Sequence, residues 1–311
     1  PGIVILDYIY VAAGLVCLFL GGEALVRGSV GIALRLAMSP LLIGLTVVGF
    51  GTSTPELLVS VNAAWRGVPD IAVGNIVGSN IANIALIMGV TALVWPIRVS
   101  GATMRRDTGV MIAATLALVP VFLMGEIGRV AGTGLLAGLI GYLVWAYLQP
   151  GDVAEDIGND SPKPNAILSV IWIIAGLVAL VLGARFLVDG AVSIARDAGL
   201  SEAFIGLTIV AVGTSLPELA TSVVAAFRRQ SEIAIGNVIG SNIFNVLGIL
   251  GVTAVIKPIP VADRFVSFDL PVMIAVSLLI TALLLKRAVI GRRTGAVLLL
   301  GYAAYVVLAQ G

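Results

Sequence analysis

The chain of 311 residues has no histidine and one cysteine, Cys17. Those two absences exclude a disulfide within the chain and argue against soft-metal centres built from thiolate and imidazole. Charge is scarce too: Asp, Glu, Lys and Arg make up 11% of residues, against about 25% in an ordinary soluble domain, and they leave a net charge of only +1. That balance does not suggest a nucleic-acid partner. What fills the space is apolar: 59% of residues are hydrophobic and the mean hydropathy is +1.11. The composition is that of a polytopic membrane protein. Any ion it handles must be met by oxygen ligands.

Apolar runs long enough to cross about 30 Å of hydrocarbon fall near residues 4–31, 38–65, 70–95, 107–125 and 130–148, then 165–190, 202–227, 232–257, 266–286 and 294–310. The fold class expected is therefore an all-α membrane protein of ten transmembrane helices. The first run lacks a basic flank and a small-residue cleavage site, so it reads as a span and not as a signal peptide. The acidic, proline-containing stretch 149–164 (QPGDVAEDIGNDSPKP) reads as a solvated tether. It divides a first five-helix repeat, 1–148, from a second, 165–311.

The repeat is explicit. GLTVVGFGTSTPELLVS at 44–60 returns as GLTIVAVGTSLPELATS at 206–222, and VGNIVGSNIANI at 73–84 as IGNVIGSNIFNV at 235–246. The offset is the same in both (218 − 56 = 162 and 245 − 83 = 162). Five spans is an odd number, so the second copy enters the membrane in the opposite sense to the first. That is the inverted-repeat architecture of secondary transporters, whose site lies where the repeats meet. With the N-terminus outside, 12 basic residues fall on inner connections and 6 on outer ones. The positive-inside rule then puts both termini outside, in what reads as a prokaryotic cytoplasmic membrane.

Each copy carries a glutamate, Glu56 or Glu218, one residue after a proline inside an apolar run. An ionised group in a span costs at least about 2.5–3.5 kcal/mol and is a functional hypothesis by default. Pro55 and Pro217 free the carbonyls of Gly51 and Gly213, four residues back. Freed carbonyls near Thr52 and Thr214 then become cation ligands, and Ser53 and Ser215 add hydroxyls. In the second motif Asn75, Ser79 and Asn83 stack on one helical face, as do Asn237, Ser241 and Asn245. Gly78 and Gly240 allow close helix approach. Two carboxylates with carbonyl, hydroxyl and amide oxygens form a hard-cation set suited to Ca²⁺, and Na⁺ could use the same oxygens.

Blander roles compete for some residues. Ser79, Asn80 and Asn242 could simply bridge helices. Glu23, Arg27, Asp107, Arg185, Asp189 and Asp269 sit near span ends, where interfacial placement or snorkelling accounts for most of them. Glu23 and Arg185 are equivalent in the two copies, and inversion would separate them. Trp65, Trp95 and Trp145 fit an aromatic belt.

The motifs G-T-S-T-P-E at 51–56, G-T-S-L-P-E at 213–218, G-S-N-I-A-N at 78–83 and G-S-N-I-F-N at 240–245 resemble the alpha-repeats of the sodium/calcium exchanger family. The resemblance covers essentially the whole chain. It implies exchange of about three Na⁺ for one Ca²⁺ through one site that alternates between faces. It places Ca²⁺ on the Glu56 and Glu218 carboxylates with the carbonyls of Thr52 and Thr214. Sodium positions would use Ser53, Ser79, Ser215 and Ser241 with backbone oxygens near Gly49 and Ala211, while Asn83 and Asn245 line the centre. The first and sixth helices would slide across the other eight. Proton-coupled relatives usually carry a G-N-A-x-E form, so T-S-x-P-E favours sodium. Potassium-dependent relatives have Asp where this chain has Asn245, so K⁺ dependence is not suggested. Eukaryotic relatives insert a calcium-sensing domain between the repeats, and 149–164 is too short for one.

The runner-up is a proton-coupled cation antiporter with Glu56 and Glu218 as proton carriers. A channel is disfavoured by the fused repeats and broken helices. An enzyme is disfavoured by the lack of any nucleophile–base pair. No cofactor, nucleic acid or protein partner is implied: Na⁺ and Ca²⁺ are the substrates and the bilayer is the surroundings.

Overall fold

The computed structural model describes residues 2–36, 38–98, 102–148, 165–199, 211–286 and 289–309. The tether 149–164 and the first part of the seventh apolar run lie outside the described residues.

Helices dominate, as apolar runs in a membrane require, because only internal hydrogen bonding satisfies the backbone there. They are α1 (Gly2–Leu36), α2 (Pro40–Thr52), α3 (Thr54–Trp65), α4 (Pro69–Val94), α5 (Ala102–Leu123), α6 (Arg129–Leu148), α7 (Ala166–Asp197), α8 (Leu216–Phe227), α9 (Ser231–Ile256), α10 (Phe265–Lys286) and α11 (Arg292–Leu308). Among the described residues seven helices are long and apolar enough to cross a membrane, or eight if the bent pair α2–α3 is one span.

Two strand pairs tie the halves together. β1 (Ile97–Arg98) pairs antiparallel with β4 (Val289–Ile290), Ile97 opposite Ile290. β2 (Glu126–Ile127) pairs antiparallel with β3 (Ile259–Pro260), Ile127 opposite Ile259. Each pair joins an element of the first half to one of the second, and the offset of 162 carries Ile97 onto Ile259.

Helices α4 and α9 form the centre, each with 78% of its spanning window buried, against 39% for α1 and 22% for α7. The core around them holds Ile76, Ile81, Ile84, Ile87, Ile239, Ile249 and Leu250. Glycines decide how closely they are approached. A Cβ on Gly236 of α9 would lie 2.6 Å from the Leu41 carbonyl oxygen of α2, and one on Gly240 would collide with Leu45 backbone. The partner that the same relation gives Gly78, near residue 207, lies outside the described residues.

Helices α1 and α7 run antiparallel along a stripe that repeats every seven residues. Gly14 meets Gly183, Gly21 meets Gly176, and Gly28 meets Ser169, each within 3.0 Å of where a Cβ would stand. These two long helices thus pack backbone to backbone on one another. Their outer faces carry exposed Ile5, Ile9, Leu15, Ile171, Ile174 and Val178.

The break in α2–α3 bends the chain by 45°. It falls at Ser53 (φ −83°, ψ 6°), and Ser215 before α8 has nearly the same backbone (φ −89°, ψ 4°). Pro55 and Pro217 occupy the first turn of the following helix, where a missing N–H costs nothing. The glutamates therefore stand in a helix's first turn, where the dipole favours negative charge. Wide π-turns interrupt α2 at Gly44–Val48, α4 at Asn83–Ile87 and α9 at Phe244–Ile249. Such bulges frequently mark functional positions.

Candidate cation site

The two breaks and the centres of α4 and α9 converge on one buried polar cluster. Glu56 and Glu218 are each 1% exposed. Ser53, next to the first break, donates its hydroxyl to Glu218 Oε1 at 3.1 Å, so the two copies of the motif meet. Ser215 lies against Glu56 without closing a hydrogen bond. Thr52 Oγ1 lies 3.0 Å from the Val48 carbonyl and 3.1 Å from Asn237 Oδ1. Ser241 donates to the Gly49 carbonyl at 3.4 Å. Ser79 is buried on the equivalent face of α4. Thr214 is half-buried beside Ser215, and Ala211 begins the short helical turn Ala211–Gly213 ahead of it.

Asn75 and Asn237 have a fastening role. Asn75 Nδ2 donates to the Glu56 carbonyl (3.1 Å) and Ser60 Oγ (2.8 Å). Asn237 Nδ2 donates to the Glu218 carbonyl (3.2 Å) and Ser222 Oγ (2.9 Å). Each pins the first turn of a half-helix to the centre.

Four asparagines cross the interface of α4 and α9. Asn83 Nδ2 donates to Asn242 Oδ1 (2.9 Å) and Asn245 Nδ2 to Asn80 Oδ1 (3.0 Å). Asn80 and Asn242, which could have been helix bridges, do bridge, each donating to the other's backbone carbonyl at 3.3 and 3.4 Å.

The buried oxygens left without a partner include Glu56 Oε2, Glu218 Oε2, Asn83 Oδ1 and Asn245 Oδ1, two pairs related by the repeat. A buried unsatisfied acceptor costs about 1–3 kcal/mol, and more when charged. Four such oxygens, with no cationic side chain paired to either glutamate among the described residues, fit an arrangement completed by a cation. Among the described residues no three His, Cys, Asp or Glu side chains cluster. A cation here would therefore draw on hydroxyl, amide and carbonyl oxygens beyond the two carboxylates, which selects hard ions.

Asp107 and Asp269, near the starts of α5 and α10, do not reach outward from their span ends but are packed inside the protein. They are 0% and 2% exposed. Asp107 holds Arg106 at 2.7 Å and accepts from Tyr142 at 3.2 Å. Asp269 holds Arg264 at 3.2 Å and accepts from Tyr305 at 2.8 Å. A cationic neighbour and a phenol let each carboxylate stay inside. Glu23 makes no pair with Arg185 and instead binds Arg228 at 2.6 Å, joining α1 to the end of α8. Trp65, Trp95 and Trp145 are exposed, Trp95 beside Arg229 and Trp145 beside Arg106.

Known proteins resemble this chain in sequence and fold. The family model described as sodium/calcium exchanger protein matches residues 6–148 and again 168–310. The chain is 40% identical to the putative antiporter CaxA of Alkalimonas amylolytica, covering 96% of both chains. It is 32% identical to the sodium/calcium exchanger MaX1 of Methanosarcina acetivorans, covering 97% of this chain and 98% of that one. A solved structure of the sodium-calcium exchanger NCX_Mj superposes with a TM-score of 0.85 at 35% identity, over 98% of this chain and 99% of that one. A more distant relative, the Ca(2+)/H(+) antiporter ChaA of Bacillus subtilis, is 24% identical over 90% of this chain and 85% of its own length. With its paired motifs, its buried glutamates and its fold, the chain belongs to the sodium/calcium exchanger family.

Proposed function

We propose that this chain exchanges Na⁺ for Ca²⁺ across a membrane by alternating access, with about three Na⁺ per Ca²⁺ and net movement of charge. The observation that carries the reading is the set of four partnerless buried oxygens on Glu56, Glu218, Asn83 and Asn245. Calcium sits on the two carboxylates and the carbonyls of Thr52 and Thr214. Sodium uses Ser53, Ser79, Ser215 and Ser241 with the backbone near Gly49 and Ala211, and Asn83 and Asn245 line the centre.

The architecture proposed is ten spans in two inverted five-helix repeats, 1–148 and 165–311, joined by the cytoplasmic tether 149–164. Support comes from the antiparallel stripe of α1 against α7 and from the reciprocal strand pairs. Both termini lie outside a prokaryotic cytoplasmic membrane. In keeping with that, Arg228 reaches Glu23, while Arg98 N–H donates to Ser231, which opens α9 just after Arg228 and Arg229. Lys257, assigned to the outer face, instead donates to the Trp65 carbonyl. The ions are substrates, and no cofactor or protein partner is required.

Proteoliposomes loaded with Na⁺ and diluted into Na⁺-free buffer should take up radiolabelled Ca²⁺, and choline inside should abolish uptake. The likeness to ChaA favours a second reading, in which protons replace Na⁺ on the two glutamates. Uptake driven by a pH gradient, indifferent to sodium, would decide for it.

A further inference from the structure

The series of four asparagines, Asn83–Asn242–Asn80–Asn245, has a direction, and the backbone sets it. A main-chain carbonyl only accepts, so the group that Asn80 turns toward the Asn242 carbonyl must be Nδ2, and the same holds for Asn242 toward Asn80. Asn242 Nδ2 also faces Met111 Sδ at 3.7 Å, again as donor. Each of these two amides therefore points its oxygen the other way. Asn83 meets Asn242 Oδ1 and must present Nδ2 to it, and Asn245 must do the same to Asn80 Oδ1. The atoms left over are Asn83 Oδ1 and Asn245 Oδ1, both buried and both without a partner. All four residues are at most 2% exposed, so the order is set by partners inside the protein.

We propose that Asn80 and Asn242 are positioning residues that fix the amide polarity of Asn245 and Asn83, so that both turn carbonyl oxygens, and not N–H₂ groups, toward the transported cation. This rests on the cation reading of the site. An amide held only by packing is two-fold ambiguous, and its flipped form would set positive dipole ends against the ion. The bonded series removes that alternative before the ion arrives. Partners that orient a ligand in this way are commonly worth about 10–100-fold in metal affinity.

The test compares Asn242→Leu with Asn242→Asp in proteoliposomes, reading the apparent KM for Ca²⁺ separately from the maximal rate. Both lose the donor to the Asn80 carbonyl, but aspartate keeps an acceptor facing Asn83 and leucine does not. The expected result is a KM raised about 10–100-fold in Asn242→Leu with a smaller change in maximal rate, and a KM in Asn242→Asp no higher than wild type. Asn80→Leu and Asn80→Asp should repeat the split through Asn245. Equal KM increases in the leucine and aspartate variants would show that the clasp alone matters and would overturn the proposal. An unchanged KM in both would do the same. If Asn242→Leu does not fold, Asn242→Ser, too short to reach Asn83, is expected to show the same rise. A wild-type protein that moves Ca²⁺ under neither a sodium nor a pH gradient overturns the transport reading itself, and this inference with it.

Discussion

Replacing Glu56 with glutamine changes one oxygen for an amide nitrogen and takes the site from two negative charges to one. The carboxylate is 1% exposed and its Oε2 has no partner, so it is free to meet a cation directly. At a Ca–O separation of about 2.4 Å and an effective dielectric of about 20, one unit charge against a divalent ion is worth about 14 kcal/mol. The amide dipole and the relief of desolvation return much of this. If they return about three quarters, about 3.5 kcal/mol remains, roughly a 400-fold loss of affinity. Thermal melting of purified protein reads this through linkage. Calcium at 100 times the wild-type Kd stabilises by about 2.7 kcal/mol, a shift of roughly 5 °C for a chain of this size. In Glu56→Gln the shift should vanish. Without cation the variant should melt no lower than wild type, because it no longer buries two like charges together. A retained calcium shift, or full transport by the Glu56→Gln/Glu218→Gln double variant, would refute the assignment.

Protons should compete with cations, because only ionised carboxylates bind. Acidifying the side from which Ca²⁺ enters should raise the apparent KM while leaving the maximal rate at saturating Ca²⁺ nearly unchanged, as measured in pH-clamped vesicles. Gly176→Ala would place a Cβ 2.6 Å from the Leu25 nitrogen and should cost about 1–3 kcal/mol through overpacking, read as a lower melting temperature. Gly141→Ala in α6, where a Cβ meets nothing within 4 Å among the described residues, should leave that temperature unchanged or raise it. Glu23→Gln removes an ion pair whose side chains are 30% and 53% exposed. Such pairs contribute about 0.2–1 kcal/mol, so the variant should shift the balance between inward- and outward-open states by no more than about fivefold, followed by cysteine accessibility.

The sequence made the repeat, the apolar runs and the buried glutamates visible, because each is a local property repeated at a fixed offset. The expectation that Asn83 and Asn245 line the centre came from the family resemblance of the motifs that contain them. It did not show the buried partners of Asp107 and Asp269. Those carboxylates are 162 residues apart, but their arginines, 106 and 264, and their tyrosines, 142 and 305, are not equivalent positions. The pattern that would have flagged them is broken by the very residues that allow burial. The π-turns were equally hidden, since no residue preference announces an extra residue in a helical turn. The role of proline was read in part: it ends one helix, but it does so from the first turn of the next, leaving Ser53 and Ser215 to make the bend.

These placements bear on charge movement. Among the described residues five buried carboxylates could enter the electrical account: Asp7, Glu56, Asp107, Glu218 and Asp269. Asp107 and Asp269 are each held by an arginine within 3.2 Å, so each is locally neutralised whatever occupies the centre. Asp7 accepts from Ser193 between α1 and α7, away from the glutamates. The asparagines at 83 and 245 are neutral, and their donor groups are committed to Asn242 and Asn80. Among these described carboxylates, Glu56 and Glu218 are the two left for the transported ions to compensate. On the proposed stoichiometry one Ca²⁺ brings the site to zero, while three Na⁺ leave it at plus one, so the sodium-loaded step carries the charge. Clamping proteoliposomes at positive and negative potentials should therefore change exchange rates in opposite directions. Rates indifferent to potential would mean that two Na⁺ are carried, or that a further charge moves with the site.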